Sequence, residues 1–295
     1  MIKTIKNSHI CLKVNSFGAE MCSFERREDH TEMLWCGDEK WWKRQAPILF
    51  PFVGSLWNGT YRHKGKEYKM GQHGFARDME FDLLSETDKS LEFILRSNDE
   101  TRAKYPFDFE LIAKFRLEND QVTITYTVRN TGNEDMYFQI GSHPAFVLQK
   151  TDKEDPKGYL RIVGNEVILS LLGEKGCLSD KKEEMSFMYD VPIEKELFES
   201  RDTLILEEHN HCIAYLLDNS GWMHLEVMND APVFGVWSPV KNGEIAPFIC
   251  LEPWCGRCDR ENFTGELKDK DWINCLAPGK EFKTWYNIRI IYRQI

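Results

Sequence analysis

The chain has 295 residues, a formal net charge of −10, 42% hydrophobic and 29% charged residues, an ordinary globular balance with length enough for a large core. An acidic surface repels phosphate backbones and anionic lipid, which excludes nucleic acid and a membrane surface as partners, and no run approaches the ~18 apolar residues of a membrane span. Met1–Asn7 holds no apolar leader-like stretch and the nine cysteines are an odd number, so no secretory signal is expected and the thiols are expected reduced, in a cytoplasm.

In chain order, short β-type runs recur at Ile10–Val14, Leu91–Leu95 and Leu111–Phe115. The clearest is Gln121–Val128, where Val122, Ile124, Tyr126 and Val128 alternate with polar residues, the period of a half-buried strand. Asn130-Thr131-Gly132 turns the chain into a strand over Met136–Ile140, and further strands are predicted at Ile213–Leu217, Met223–Met228, Val233–Trp237, Phe248–Leu251 and Ile288–Tyr292. Asn58-Gly59, Lys64-Gly65, Asn219-Ser220-Gly221 and Lys241-Asn242-Gly243 supply turns. Helix is predicted only at Asp99–Lys104 and at Pro192–Phe198, where the proline suits a first turn. Lys150–Lys157 and Asp180–Glu184 read as exposed charged loops. No repeat or linker divides the chain, so residues 1–295 are expected to form one all-β domain.

Two of the eight histidines sit in unusual company. His73 lies in Gly71-Gln-His-Gly-Phe-Ala-Arg-Asp78, and His143 in Gly141-Ser-His-Pro-Ala-Phe146 after a strong strand. Small neighbours leave a ring accessible, and loops on a rigid scaffold concentrate catalytic groups; a plain packing role is the alternative for each. Glu252 ends the apolar run Phe248–Leu251 beside Pro253 and Trp254, a costly place for a carboxylate unless it is used or salt-bridged. Arg44, Arg77 and Arg257 could clamp sugar hydroxyls or phosphate, or pair with carboxylates such as Asp78 and Asp259. Cys255 and Cys258 form a CxxC without a second ligand pair, and His209-Asn-His211 lacks a third ligand, so neither is expected to hold a metal. Phosphate-binding, dinucleotide-binding and serine-hydrolase motifs are absent.

The motifs Pro47-Ile-Leu-Phe-Pro51 with Gly54, Gln72-His-Gly-Phe-Ala-Arg77, Gly141-Ser-His-Pro144, Phe234-Gly-Val-Trp237 and Leu251-Glu-Pro-Trp254 follow in this order. Together they resemble the aldose 1-epimerase (galactose mutarotase) superfamily over nearly the whole chain, closest to the bacterial branch associated with lactose and galactose genes, with a weaker likeness to hexose-6-phosphate mutarotases. The resemblance implies an antiparallel β-supersandwich with few short helices. It implies His143 as general acid, Glu252 as general base, and His73, Arg77, Asp202, Trp237 and Trp254 as sugar-binding residues. Ser55 stands where related sequences often carry arginine, which points to free aldoses rather than sugar phosphates.

The implied reaction swaps the α and β anomers of an aldose. A base removes the O1 proton while an acid protonates the ring oxygen; rotation about C1–C2 and closure reverse the flow. Groups that work in both directions need intermediate pKa values, which suits a histidine and a partly buried glutamate. No metal or organic cofactor is required, and the partner is a small-molecule sugar. His143 and Glu252 are expected on opposite sides of the bound pyranose, with His73 near the same ring. A glycoside hydrolase would need a second carboxylate in an equally distinctive motif. A non-catalytic sugar-binding module would keep the aromatic faces without needing both His143 and Glu252.

Overall fold

The computed structural model describes residues 1–148, 157–163, 166–208 and 212–293, and is built almost entirely of antiparallel β-sheet. Its centre follows directly from alternation. In the strand Gln121–Asn130, Val122, Ile124, Tyr126 and Val128 are buried, and the strand pairs with Phe109–Glu118 on one side and Glu281–Ile290 on the other. In this register Ile124 lies opposite both Phe115 and Tyr286, so apolar side chains stack on one face while the Thr123–Thr127 side remains more polar. This is the middle of a nine-stranded sheet that runs, in spatial order, 191–192, 159–162, 213–217, 223–229, 281–290, 121–130, 109–118, 90–96 and 82–87.

A second sheet, ordered 178–186, 166–172, 203–207, 233–237, 248–255, 140–142 and 48–49, packs its inner face on the first; 145–147 also joins 248–255. Leu204, Leu206, Phe234, Val236, Ile249 and Leu251 from this sheet share one hydrophobic cluster with the inward residues of the nine-stranded sheet. Phe248–Cys255 is buried at all eight positions, covered on both faces. Its odd-numbered side chains Ile249 and Leu251 enter the main core, and its even-numbered ones, Phe248, Cys250, Glu252 and Trp254, point to the opposite face. Burying each large apolar side chain contributes about 1.5–3 kcal/mol, which makes this strand a rigid platform. A four-stranded sheet, 2–6, 10–15, 20–26 and 31–32, adds Ile10, Leu12, Val14 and Phe24 to the main cluster.

The two α-helices among the described residues are Asp99–Lys104, closed by an Asn98–Thr101 capping box, and Glu196–Glu199. The second is shorter than the predicted Pro192–Phe198, because Val191 and Pro192 bridge to Leu160 and Tyr159 as an edge strand. Met136–Ile140 divides at Gln139, whose side chain accepts from the Val53 N–H and donates to Asp271 O. The terminal strand spans Glu281–Ile290 rather than 288–292. Asp180–Glu184 is not a loop: it lies within the strand Leu178–Ser186, whose backbone pairs with Glu166–Leu172 at the sheet edge. A run of charges is compatible with an edge, where it discourages pairing with another chain. Of the other predicted loop, residues 150–156 fall outside those described. No helix among the described residues is long and apolar enough to cross a membrane.

Candidate active site

The outer face of the second sheet forms the floor of a pocket of about 210 Å³ whose wall includes His73, Arg77, His143, Asp202, Trp237, Glu252 and Trp254, the seven residues that the resemblance implied. Their convergence begins with backbone chemistry. The strand Ile140–Ser142 pairs with Ile48–Leu49 and with Phe248–Cys255, so the first, third and last motifs are neighbours in one sheet. The His143 N–H donates to Pro47 O (3.1 Å), and the Leu251 N–H donates to Pro144 O (3.2 Å). Ser142, fully buried, accepts from the Tyr126 hydroxyl (3.1 Å) and lies 2.8 Å from the Tyr286 hydroxyl, so the opposite sheet grips the residue before His143.

His73 is held by a different device. Its N–H donates to Gly54 O (3.0 Å), and the Gly54 N–H donates back to His73 Nδ1 (3.1 Å). The second bond fixes the neutral tautomer with its proton on Nε2. His73 adopts φ 66°, and Gly74 follows at φ 71° with its backbone against Phe50; a Cβ there would lie 2.2 Å from Phe50 O. Glycine is therefore required at 74, and the two N-terminal motifs lock together.

Glu252 is fully buried opposite Gly235 in the strand ladder. Its Oε2 lies 3.2 Å from His143 Nε2. The contact is out of line for a hydrogen bond, and neither Glu252 oxygen nor His143 Nδ1 has a hydrogen-bond partner. Burial drives the Glu252 carboxyl well above its usual range; the Trp254 indole N–H, near it but outside hydrogen-bond geometry, opposes that rise and the Asp202 charge adds to it. Burial likewise pushes His143 down to about 3, with Arg77 and Arg44 contributing, and holds His73 well below its ordinary value. Burial thus favours the uncharged form of both groups, a protonated carboxyl beside a neutral imidazole.

This geometry corrects one expectation: His143 and Glu252 stand side by side, leaving no room for a pyranose between them. The reason is strand register: the Leu251 N–H bond to Pro144 O sets the His143 loop directly beside the strand that carries Glu252.

Aromatic rings complete the desolvation. Trp42 packs on His143 with centroids 4.6 Å apart and planes at 31°, and Trp237 meets it edge-on at 5.5 Å. His73 lies edge-on at 5.6 Å. Trp42 escaped the sequence reading; its signal is the Trp41-Trp42 doublet a few residues before Pro47. Trp254 lies between two strands that leave it space: a Cβ on Gly235 would come within 2.6 Å of the indole and one on Gly141 within 2.7 Å. Arg77 donates to Gln72 O (2.7 Å), its Nε is buried without a hydrogen-bond partner, and burial brings it down to about 10. Arg44 pairs with Asp78 at 2.8 Å. Asp202, exposed at the rim, adopts φ 56°.

Of the other candidates, Cys258 also lines the pocket, while Arg257 and Cys255 do not. Arg257 pairs with Glu207 (3.0 Å) and Asp271 (2.6 Å), not with Asp259, which Lys270 engages instead. Cys255 packs into the main core and Cys258 into a separate cluster with Leu49, Val53 and Trp254, so the CxxC thiols diverge. All nine cysteines are free thiols. His209 and His211 lie outside the described residues.

Comparison with known proteins places this architecture. A galactose mutarotase related enzyme from Lactobacillus acidophilus superposes with a TM-score of 0.94 at 32% identity, covering 99% of this chain and 98% of that one. A galactose mutarotase-like protein from Lactobacillus casei gives a TM-score of 0.89 at 28% identity, covering 99% of this chain and 100% of that one. The plasmid-borne protein LacX of Lactococcus lactis subsp. lactis is 29% identical over 300 aligned residues, 97% of this chain and 98% of LacX. The sequence profile of aldose 1-epimerase matches residues 1–289. The chain belongs to the aldose 1-epimerase family.

Proposed function

We propose that the protein is a mutarotase that interconverts the α and β anomers of a free aldose without a cofactor. The reading rests on one observation above all. A buried imidazole and a buried carboxyl meet at 3.2 Å in a pocket wall, with both carboxyl oxygens and the imidazole Nδ1 unsatisfied. A binding module gains nothing from such a pair, which is costly to bury. A reaction that shuttles one proton between two oxygens on the same carbon needs it.

The steps follow from the proton count. The sugar O1–H donates to Glu252 and supplies the missing hydrogen bond to its carboxylate form. The proton that Glu252 carried at rest passes to His143. Glu252 then takes the O1 proton as His143 protonates the ring oxygen, and the C1–O bond of the ring opens to the aldehyde. After rotation about C1–C2, the ring hydroxyl returns its proton to His143, Glu252 reprotonates O1, and the other anomer leaves. His73 Nε2–H, Arg77 and Asp202 orient hydroxyls, and Trp237 and Trp254 offer apolar faces to the ring. General acid–base catalysis of this kind contributes about 10²–10⁴ in rate.

Free sugars are favoured over 6-phosphates because the pocket wall offers one guanidinium, Arg77, which stands against Asp78, while Asp202 adds a carboxylate at the rim. Polarimetry on freshly dissolved α-glucose, α-galactose and their 6-phosphates, with the spontaneous rate subtracted, tests the proposal. Glu252→Gln and His143→Asn are each expected to lower kcat by about 10² or more, with a smaller change in sugar affinity. The double variant should lose less than the product, because the two act as a unit. Wild-type turnover by Glu252→Gln would refute the mechanism. A kcat/KM about tenfold higher for a 6-phosphate would refute the substrate class.

A further inference from the structure

Cys250 precedes Glu252 by two residues on the same strand face, and the proton transfers above leave its thiol without a task. One donor atom each from His143, Cys250 and Glu252 lie within 4.8 Å of one another, and all three residues are buried. The remainder of the Cys250 environment is apolar, with Trp35, Ala145 and Phe248 as neighbours.

The donor set is selective. One imidazole nitrogen, one sulfur and one carboxylate oxygen match a borderline-soft divalent cation such as Zn²⁺, whose ligands sit at about 2.0–2.3 Å in a tetrahedron. Ligands so placed are about 3–4 Å apart, close to the spacing present here. Hard cations that take oxygen ligands do not fit a site containing sulfur. An independent observation points the same way. Glu252 is 0% exposed, yet neither oxygen has a hydrogen-bond partner, and His143 Nδ1 is equally unpartnered. A cation would satisfy the carboxylate and leave its fourth position open to the pocket.

We propose that His143, Cys250 and Glu252 form an inhibitory site for a thiophilic divalent cation, Zn²⁺ being the probe, and that its occupancy stops turnover. The thiol coordinates as thiolate and Glu252 as carboxylate, so two protons pass to solvent as the metal–sulfur and metal–oxygen bonds form, with no change of oxidation state. Inhibition follows because the lone pairs of His143 and Glu252 are committed to the metal. Only this inhibitory half rests on the acid–base reading of those residues; binding itself does not.

The test uses the full chain with exposed Cys36 and Cys275 replaced by serine, to remove accessible competing thiols. Equilibrium dialysis should find one Zn²⁺ per chain, and Co²⁺ should produce a thiolate charge-transfer band in the near ultraviolet. Polarimetry should show turnover abolished by Zn²⁺ and restored by EDTA. Cys250→Ser and Cys250→Ala should turn over sugar normally without metal, bind Zn²⁺ at least tenfold more weakly, and lose both the band and the inhibition. His143→Ala provides a second ligand deletion, read by dialysis, should the Cys250 variants not fold. Absence of the band in the parent protein, or unchanged affinity in the folded ligand-deletion variants, overturns the site. A band and stoichiometric binding in a protein that does not mutarotate any aldose would keep the site and refute the proposed function.

Discussion

At the scale of single residues, the site is a place where the fold accepts a cost. Glu252 is buried with its carboxyl held well above the usual range, so the folded protein keeps it protonated while the unfolded chain ionises it above its ordinary pKa of 4.5. The stability it contributes is present below that value and is lost as pH rises toward the folded one. Glu252→Gln keeps the shape and removes the linkage. It should therefore raise the melting temperature at pH 8 while lowering activity, and the gain should shrink near pH 4.5. Each kcal/mol recovered corresponds to about 2 °C in a chain of this size. Calorimetry at the two pH values decides the matter; a lower melting temperature at pH 8 would show that the carboxyl is not destabilising. His143 carries the complementary expectation. Because burial pushes it down to about 3, kcat/KM should stay flat as pH falls through 6.5, where an exposed histidine would titrate, and should decline only well below that. A half-maximal point near 6.5 in the background-corrected profile would contradict the environment described.

At the scale of elements, glycines in two strands shape the site as much as the functional side chains do. Gly141 and Gly235 flank Trp254, and a methyl group at 235 would meet the indole at 2.6 Å, well inside normal contact. The ring cannot retreat easily, because Trp254 sits in a fully buried strand. Gly235→Ala should cost roughly 1–3 kcal/mol by overpacking and should displace Trp254 from Glu252. A lower denaturant midpoint, a shifted tryptophan emission and reduced kcat/KM are expected together. Unchanged emission and activity would show that the two glycines are not required. This role was hidden in the sequence: the glycines of Gly141-Ser-His-Pro144 and Phe234-Gly-Val-Trp237 stood in recognisable motifs, but nothing local says that both face the same indole across a strand.

At the scale of the whole molecule, buried histidines tie the fold to pH. His63, His73, His143 and His224 are all held below their ordinary value, His224 to about 4, chiefly by burial. Each is neutral in the fold and protonates in the unfolded chain below about 6.5, so their contribution is present above that pH and lost as pH falls. The half-buried carboxyl of Glu20 and the buried one of Glu252 are both raised and act oppositely above 4.5. More rings than carboxyls are involved, so the net effect near pH 5.5 is proton uptake on unfolding and stability that falls as pH falls. Urea midpoints at pH 7, 6 and 5 should fall accordingly, in one transition if residues 1–295 unfold as the single unit we propose. His224→Gln, remote from the pocket wall, should reduce the slope without altering turnover at pH 7. A pH-independent midpoint would show these rings to be hydrated.

The sequence by itself determined the all-β class, the strands with clean alternation such as Gln121–Asn130, and the candidacy of His73, His143 and Glu252, which gather in the pocket. These are legible because period-two alternation is local, and because histidine and glutamate beside glycine, proline and buried strands are chemically conspicuous. Strands without that contrast were lost: Leu178–Ser186 is mostly charged, and Asp82–Thr87 is exposed at almost every position, since an edge strand needs only backbone partners. Only the tertiary structure decided that His143 and Glu252 touch rather than oppose each other, that Trp42 covers the imidazole, and that Cys250 joins them. Those facts depend on strand register and on sheets packing across more than a hundred residues of chain, as when Tyr286 fixes Ser142. A linear sequence names the groups, but their spacing, burial and proton affinity are properties of the packed sheets.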